Sequence, residues 1–145
     1  MIDSFNRVSK VNYETELNPK QQEQHLFQKC SAILADYGYT TIKLSDDWEG
    51  ADFIAISQIS GEFFKIQLKG RFTVATKYAG KDVYIAFPMN LSLGQWCIYP
   101  HDAILGLLRT AGKYVNTPGW ERNGEFHTFK VSNYLKPLLE KYLIS

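Results

Sequence analysis

Long apolar runs are missing from this chain: no stretch approaches the ~20 residues a membrane span needs, and none has the basic start and apolar centre of a secretory leader. Both absences predict a cytoplasmic protein that does not enter the membrane. Cysteine is scarce. Cys30 and Cys97 lack metal-ligand spacing and read as small buried hydrophobes in a reducing compartment. His25, His101 and His127 stand far apart, which argues against structural zinc. A phosphate-cradling Gly-rich loop, a nucleophile elbow and a dinucleotide fingerprint are absent, and Ser-His-Asp catalysis has no local signal. Excess charge is lacking as well: Lys and Arg total 16 against 15 Asp and Glu, for a net +1, so bulk charge announces no nucleic-acid partner. What the chain does have is aromatic residues (14%) and a hydrophobic content of 45% in 145 residues. That suits one soluble domain, 1–145, with a proper core.

Residues 1–17 are polar and irregular and read as an N-terminal arm. Asn18-Pro19 marks a helix start, with Asn as cap and Pro at the first helical position. Leu26, Phe27, Cys30, Ile33, Leu34 and Tyr37 then follow at helical spacing up to Gly38. Glu23 projects near the N-terminal end of the inward face. Tyr39 to Leu44 reads as a strand, Ser45 to Gly50 as an acidic turn, and part of Arg71 to Thr76 as a strand. Val83 to Phe87, ended by Pro88, and Gln95 to Tyr99, ended by Pro100, complete the middle of the chain. His101 to Ala111 is expected to be a short helix, Thr117 to Gly124 a loop, and Phe126 to Val131 a strand. Ser132 is expected to cap a last helix through Leu143, with Pro137 confining its regular bonding to the later part. A helix, a run of strands and then helices predict an α/β (α+β) layer fold.

Between these elements lies the most informative stretch. Gly50-Ala51-Asp52-Phe53-Ile54-Ala55-Ile56 and Phe63-Phe64-Lys65-Ile66-Gln67-Leu68-Lys69 are rich in β-branched and aromatic residues and flank a turn signal at Ser60-Gly61, so they predict an antiparallel hairpin. A two-residue loop at Ser60-Gly61 would pair Ile54 with Gln67 and Asp52 with Lys69. Gln67 and Lys69, two apart, would then share the face of Asp52. Charge segregates around this hairpin. Ser45 to Glu62 holds five acids (Asp46, Asp47, Glu49, Asp52, Glu62) and no base, while Phe63 to Lys81 holds five bases (Lys65, Lys69, Arg71, Lys77, Lys81) and no acid. An acidic pocket beside a basic strip suits a divalent cation next to bound phosphates. The plainer reading is a pair of solvated hairpin edges, with Asp52 and Lys69 as a cross-strand ion pair worth only ~0.2–1 kcal/mol. On that reading Gln67 is an amide satisfied by backbone, and Glu23 is an acid favoured by the helix dipole.

A hard cation such as Mg²⁺ takes oxygen ligands in octahedral order. Asp52 offers the carboxylate, and the Gln67 side chain and Leu68 carbonyl offer neutral oxygens. Lys69 can hold a water or a phosphate. Glu23, then Gly50-Ala51-Asp52, then Gln67-Leu68-Lys69 resembles the PD-(D/E)xK nuclease superfamily. More narrowly it is similar to the branch with Gln in place of the second acid, seen in Mrr-type restriction enzymes and some group I intron-encoded homing endonucleases. Tyr84-Ile85-Ala86-Phe87-Pro88 and Trp96-Cys97-Ile98-Tyr99-Pro100-His101-Asp102 look like its following strands, so the likeness covers roughly residues 18–110. It implies a restriction-endonuclease-like core with a central mixed sheet flanked by helices. The activity it implies is Mg²⁺- or Mn²⁺-dependent hydrolysis of DNA phosphodiesters, with catalytic Asp52, Gln67, Lys69 and Glu23. Metal ligands would be Asp52, Gln67, Leu68 and Glu23, and Arg71, Lys65, Lys77 and Lys81 would contact DNA. A homodimer is compatible with cutting both strands. Ala51 stands where the family has Pro, and Gln67 where it commonly has an acid. The departures keep a second reading open: a non-catalytic nucleic-acid-binding or protein-interaction domain on the same scaffold.

Overall fold

The computed structural model describes residues 9–145; the first part of the expected arm, residues 1–8, lies outside them. Asn12 opens a one-turn helix, α1 (Tyr13–Glu16), by accepting the N–H groups of Glu14 and Thr15. The longest helix, α2 (Pro19–Asp36), begins as its sequence requires. The Asn18 side chain accepts from Gln21 N–H at 2.8 Å, and the Gln21 side chain accepts from Asn18 N–H at 3.0 Å, a reciprocal capping box. Leu26, Cys30 and Leu34 recur every four residues, and all three are buried against the sheet.

The strands are β1 (Tyr39–Trp48), β2 (Ala51–Ser57), β3 (Phe63–Leu68), β4 (Phe72–Ala75), β5 (Val83–Asn90), β6 (Gln95–Pro100), β7 (Glu125–Thr128) and β8 (Leu143–Ile144). Six of them form a mixed sheet in the order β1-β2-β3-β5-β6-β8; β3 and β5 run parallel and the other neighbours antiparallel. The remaining helices are α3 (His101–Ala111), α4 (Pro118–Asn123) and α5 (Leu135–Leu139). One apolar cluster lies under α2 and includes Phe53, Ile66, Ala86 and Trp96. The other joins α3 to Phe72, Val74, Ile85, Phe87 and Tyr99. The fold is therefore a mixed α+β arrangement, as the residue pattern predicts, with a central mixed sheet flanked by helices, as the family resemblance implies.

β4 leaves the main sheet and pairs with β7, Phe72 opposite Thr128, as a separate two-stranded ribbon. Side chains replace the missing neighbour. The Tyr99 hydroxyl accepts from Thr73 N–H (3.1 Å) and donates to Thr73 C=O (2.5 Å). His101 Nε2 accepts from Ala75 N–H at 3.0 Å, so its Nδ1 carries the proton and donates to Asp102 (2.9 Å). Burial pushes the His101 pKa down, with Asp102 pulling the other way. The imidazole is thus kept neutral, as its acceptor role demands.

Several boundaries differ from the sequence pattern. β1 runs on to Trp48, and the turn is only Glu49-Gly50, both at positive φ (48° and 85°). That is the two-residue type I′ geometry which twists with its strands. The next turn is longer than expected. Ser57 N–H donates to Glu62 C=O, enclosing four residues, because the Ser57 hydroxyl accepts from Ile59 and Ser60 N–H and builds the turn itself. β5 continues through Pro88 to Asn90; β3 ends opposite Ala86, so Pro88 stands where β5 has only one neighbour. Thr117 to Gly124 is not a loop but mostly α4, with the Thr117 hydroxyl capping Trp120 N–H and Pro118 in the first turn. The expected strand to Val131 stops at Thr128. The last helix is reduced to α5, a 3₁₀ turn and β8; Ser132 does accept from Leu135 N–H. Cys30 and Cys97 are both buried, and burial pushes each thiol up to about 12. Among the described residues, no helix is long and apolar enough to cross a membrane.

Candidate functional site

Register decides what Asp52 faces. β2 and β3 pair as Phe53 with Ile66 and Ala55 with Phe64, so the residue opposite Asp52 is Gln67, two places short of the expected Lys69. A slip of two keeps every side chain on its expected face. Gln67 and Asp52 are therefore together, and Lys69 lies just past the end of β3. The expected Asp52–Lys69 ion pair does not form. Asp52 Oδ2 instead accepts from Leu68 N–H at 2.8 Å. Bonded antiparallel pairs alternate from Ser57–Glu62 along the hairpin, so at Leu68 both N–H and C=O face the β2 side. The Leu68 carbonyl thus shares an edge with the Asp52 carboxylate.

β1 adds an acid that the sequence pattern did not single out for the site. Between the pairs Lys43–Phe53 and Trp48–Ala51, four residues of β1 (44–47) stand against the single residue Asp52. This bulge brings the Asp47 carboxyl within hydrogen-bonding reach of Asp52. Burial pushes the Asp52 carboxyl up to about 6, the Leu68 N–H pulls it down, and Asp47 and Glu23 add to the rise. Two carboxyls this close cannot both ionise cheaply. Had β1 been extended through the acidic run to a Glu49-Gly50 turn, the sequence would have placed Asp47 here.

Gln67 has the more unusual surroundings. It aligns with Ile85 on the face covered by α3 and is only 7% exposed. Its Oε1 is buried with no hydrogen-bond partner among the described residues. A buried acceptor without a donor costs about 1–3 kcal/mol. The expectation of an amide satisfied by backbone is therefore not met.

Glu23 lies beyond the first turn of α2, so the helix dipole does not explain it. It is exposed and lines a cleft of about 190 Å³ together with Leu68, Lys69 and Gly70. The Lys69 ammonium stands 5.4 Å from the centre of the Tyr78 ring, and Lys77 5.2 Å from the same ring. Tyr78, also missed in the sequence, packs beside Gly50: a Cβ there would meet its ring at 3.3 Å. Burial raises the Tyr78 phenol, Lys77 opposes this, and the Asp52 charge adds to the rise. No motif in the sequence pointed to this ring.

The remaining basic residues divide. Lys65 is turned away to Glu49 (3.0 Å) and to the Lys81 carbonyl, with its ammonium over Trp48. The aliphatic part of Lys81 packs beside Gly50. Arg71 lies over the ring of Phe129, 4.5 Å from its centre. Trp96 is fully buried and Trp48 is 47% exposed.

No protein-family model matches this chain, and no curated protein matches its sequence. Solved structures of similar shape include the bacterial homing endonuclease I-Ssp6803I, at 14% identity and a TM-score of 0.48, covering 86% of this chain and 94% of that one. Another is the Holliday junction resolvase Hjc of the archaeal hyperthermophile Archaeoglobus fulgidus. It is 11% identical with a TM-score of 0.40, over 64% of this chain and 98% of that one. Likeness this distant says nothing of the site, which rests on its own residues.

Proposed function

We propose that this chain is a metal-dependent endonuclease that hydrolyses DNA phosphodiesters at the open end of the β2–β3 hairpin. One observation carries the reading: the buried, unpartnered Gln67 Oε1 beside a carboxyl pushed up to about 6. Acceptors are in excess there: the Leu68 N–H answers one Asp52 oxygen, and among the described residues no donor answers Gln67 Oε1. A hard divalent cation supplies what is missing. Asp52, the Gln67 amide oxygen and the Leu68 carbonyl would hold Mg²⁺ or Mn²⁺, with Glu23 and Asp47 next to them. Bound there, the ion would polarise a phosphodiester and lower the pKa of a water.

The chain's own residues do the rest. Lys69, held over Tyr78 at the cleft mouth, orients the attacking water and balances charge developing on the phosphate. Arg71 steadies the phosphate from the ribbon side. Cutting both strands with one such site calls for a second copy of the chain.

A second reading has one observation in its favour. Among the described residues, no three of His, Cys, Asp and Glu come close enough to cage a metal. A non-catalytic nucleic-acid-binding or protein-interaction scaffold needs no cage. Supercoiled and branched DNA in Mg²⁺ or Mn²⁺, with wild type beside Asp52→Ala, separates the two. Metal-dependent nicking by wild type alone supports the nuclease. Equal nicking by Asp52→Ala removes the site assignment, and no nicking together with no heat on Mn²⁺ titration leaves the scaffold.

A further inference from the structure

The β4–β7 ladder ends at Phe72 opposite Thr128, and the next facing positions are Arg71 and Phe129. Their side chains meet: the guanidinium lies 4.5 Å from the Phe129 ring centre. Phe129 is nevertheless 77% exposed, since Arg71 covers one part of the ring and leaves the rest open. Among the described residues the guanidinium makes no side-chain hydrogen bond or ion pair, so its five donors are uncommitted. The stack borders a cleft of about 490 Å³ that Phe129 lines with Tyr13, Leu26, Gly70, Pro88 and Leu91. That volume falls within the ~300–1,000 Å³ typical of ligand pockets. Tyr13, Gln22, Leu26 and Gly70 also line the cleft that contains Glu23 and Lys69, so the two clefts adjoin.

An open aromatic face beside free guanidinium donors has a specific complement: a flat π surface attached to an anion. Bases in duplex DNA already have both faces stacked and present only their edges to a protein. An unpaired base offers its face, and its phosphate offers the anion. We infer that the Arg71–Phe129 stack docks an unpaired nucleotide, so that the substrate class of the proposed nuclease is DNA carrying a single-stranded segment. The inference rests on the nuclease reading of the adjoining site. The base stacks on Phe129, Arg71 takes the flanking phosphate, and the strand passes over Gly70 toward Lys69. Gly70 suits that passage, because nothing lies within 4 Å of where its Cβ would be.

The test uses the full chain in EDTA, where cleavage is silent. Fluorescence anisotropy measures affinity for a blunt duplex and for the same duplex with a single-stranded flap containing 2-aminopurine. Wild type is expected to bind the flap at least ~10-fold tighter than the duplex, and Phe129→Ala to lose about that factor on the flap alone. Phe129→Trp should restore flap affinity and the quenching of 2-aminopurine. Arg71→Ala should weaken both substrates and reduce the salt dependence. Circular dichroism of Phe129→Ala should match wild type, given the exposure of the ring. Equal flap affinity of Phe129→Ala and wild type, or no flap preference in wild type, overturns this inference and leaves the nuclease reading standing. No binding to either DNA also overturns this inference, and nicking in Mg²⁺ or Mn²⁺ decides the nuclease reading separately.

Discussion

Asp52→Asn should make the protein more stable at neutral pH. The wild-type carboxyl is raised from 3.8 to about 6, first by burial and then by Asp47 and Glu23, so the folded state holds this proton more tightly than the unfolded chain. A group raised in this way contributes stability that is fully present below about pH 4 and is lost as pH rises through about 6. The rise corresponds to about 3 kcal/mol if the charge were wholly shielded from water. Asp52 keeps contact with solvent, which reduces the figure to about 1–2 kcal/mol at pH 7.5. Asparagine has no proton to lose and can still accept the Leu68 N–H, so it escapes the penalty. Urea unfolding in EDTA should show equal midpoints near pH 4 and a midpoint about 0.5–1 M higher for the variant at pH 7.5. Adding Mn²⁺ at ~100 times its dissociation constant should reverse the order, stabilising wild type by about 2.7 kcal/mol and the variant far less. A variant no more stable than wild type at pH 7.5 would refute the account of a strained, cation-seeking carboxyl.

Three further outcomes follow from other contacts. Asp47→Asn should lower the Asp52 pKa toward the ordinary range, which NMR titration of the Asp52 side chain reads directly. His101→Ala should cost about 3 kcal/mol by thermal or urea unfolding, because it leaves the buried Ala75 N–H without an acceptor and opens a cavity. The folded His101 pKa lies below its unfolded value of 6.5, so wild-type stability from this group is present above pH 6.5 and falls as the pH drops below it; the variant should lack that slope. Gly124→Ala should destabilise by at least ~1 kcal/mol, since φ is 64° and the new Cβ would meet Thr76 Oγ1 at 2.4 Å. Pairing it with Thr76→Ala should recover the steric part of that loss.

Much of the fold was legible because it is written in local signals. Asn18-Pro19 fixed the start of α2, the helical spacing of Leu26, Cys30 and Leu34 fixed its buried face, and β-branched and aromatic residues around a turn signal marked the hairpin arms. Features set by side-chain competition were less legible. The Ser57 hydroxyl lengthens a turn that Ser60-Gly61 alone would make short, and this moves the pairing by two residues. Faces survive such a slip, which is why Asp52 and Gln67 still share one while the exact partner changed. Asp47 was hidden by the bulge, since an acidic run before Gly reads as a turn whether or not it is strand. Tyr78 and Phe129 carry no local signature, because their importance comes from Lys69 and Arg71 arriving from elsewhere in the chain.

The ribbon of β4 and β7 takes its polar attachment to the body of the protein from two side chains, Tyr99 and His101, where another fold would use a strand, and its apolar attachment from Phe72 and Val74 in the core. A strand would lock the ribbon into a repeating register in which any adjustment displaces a whole row of groups. Two point attachments at adjacent ends of β6 and α3 impose no such repeat. The orientation of the ribbon beside Arg71 and Phe129 therefore answers to the packing of Tyr99, His101 and Phe72 rather than to a strand register. The ribbon beside Phe129 and the sheet that carries Asp52 and Gln67 thus belong to separate hydrogen-bonded ladders within one small chain.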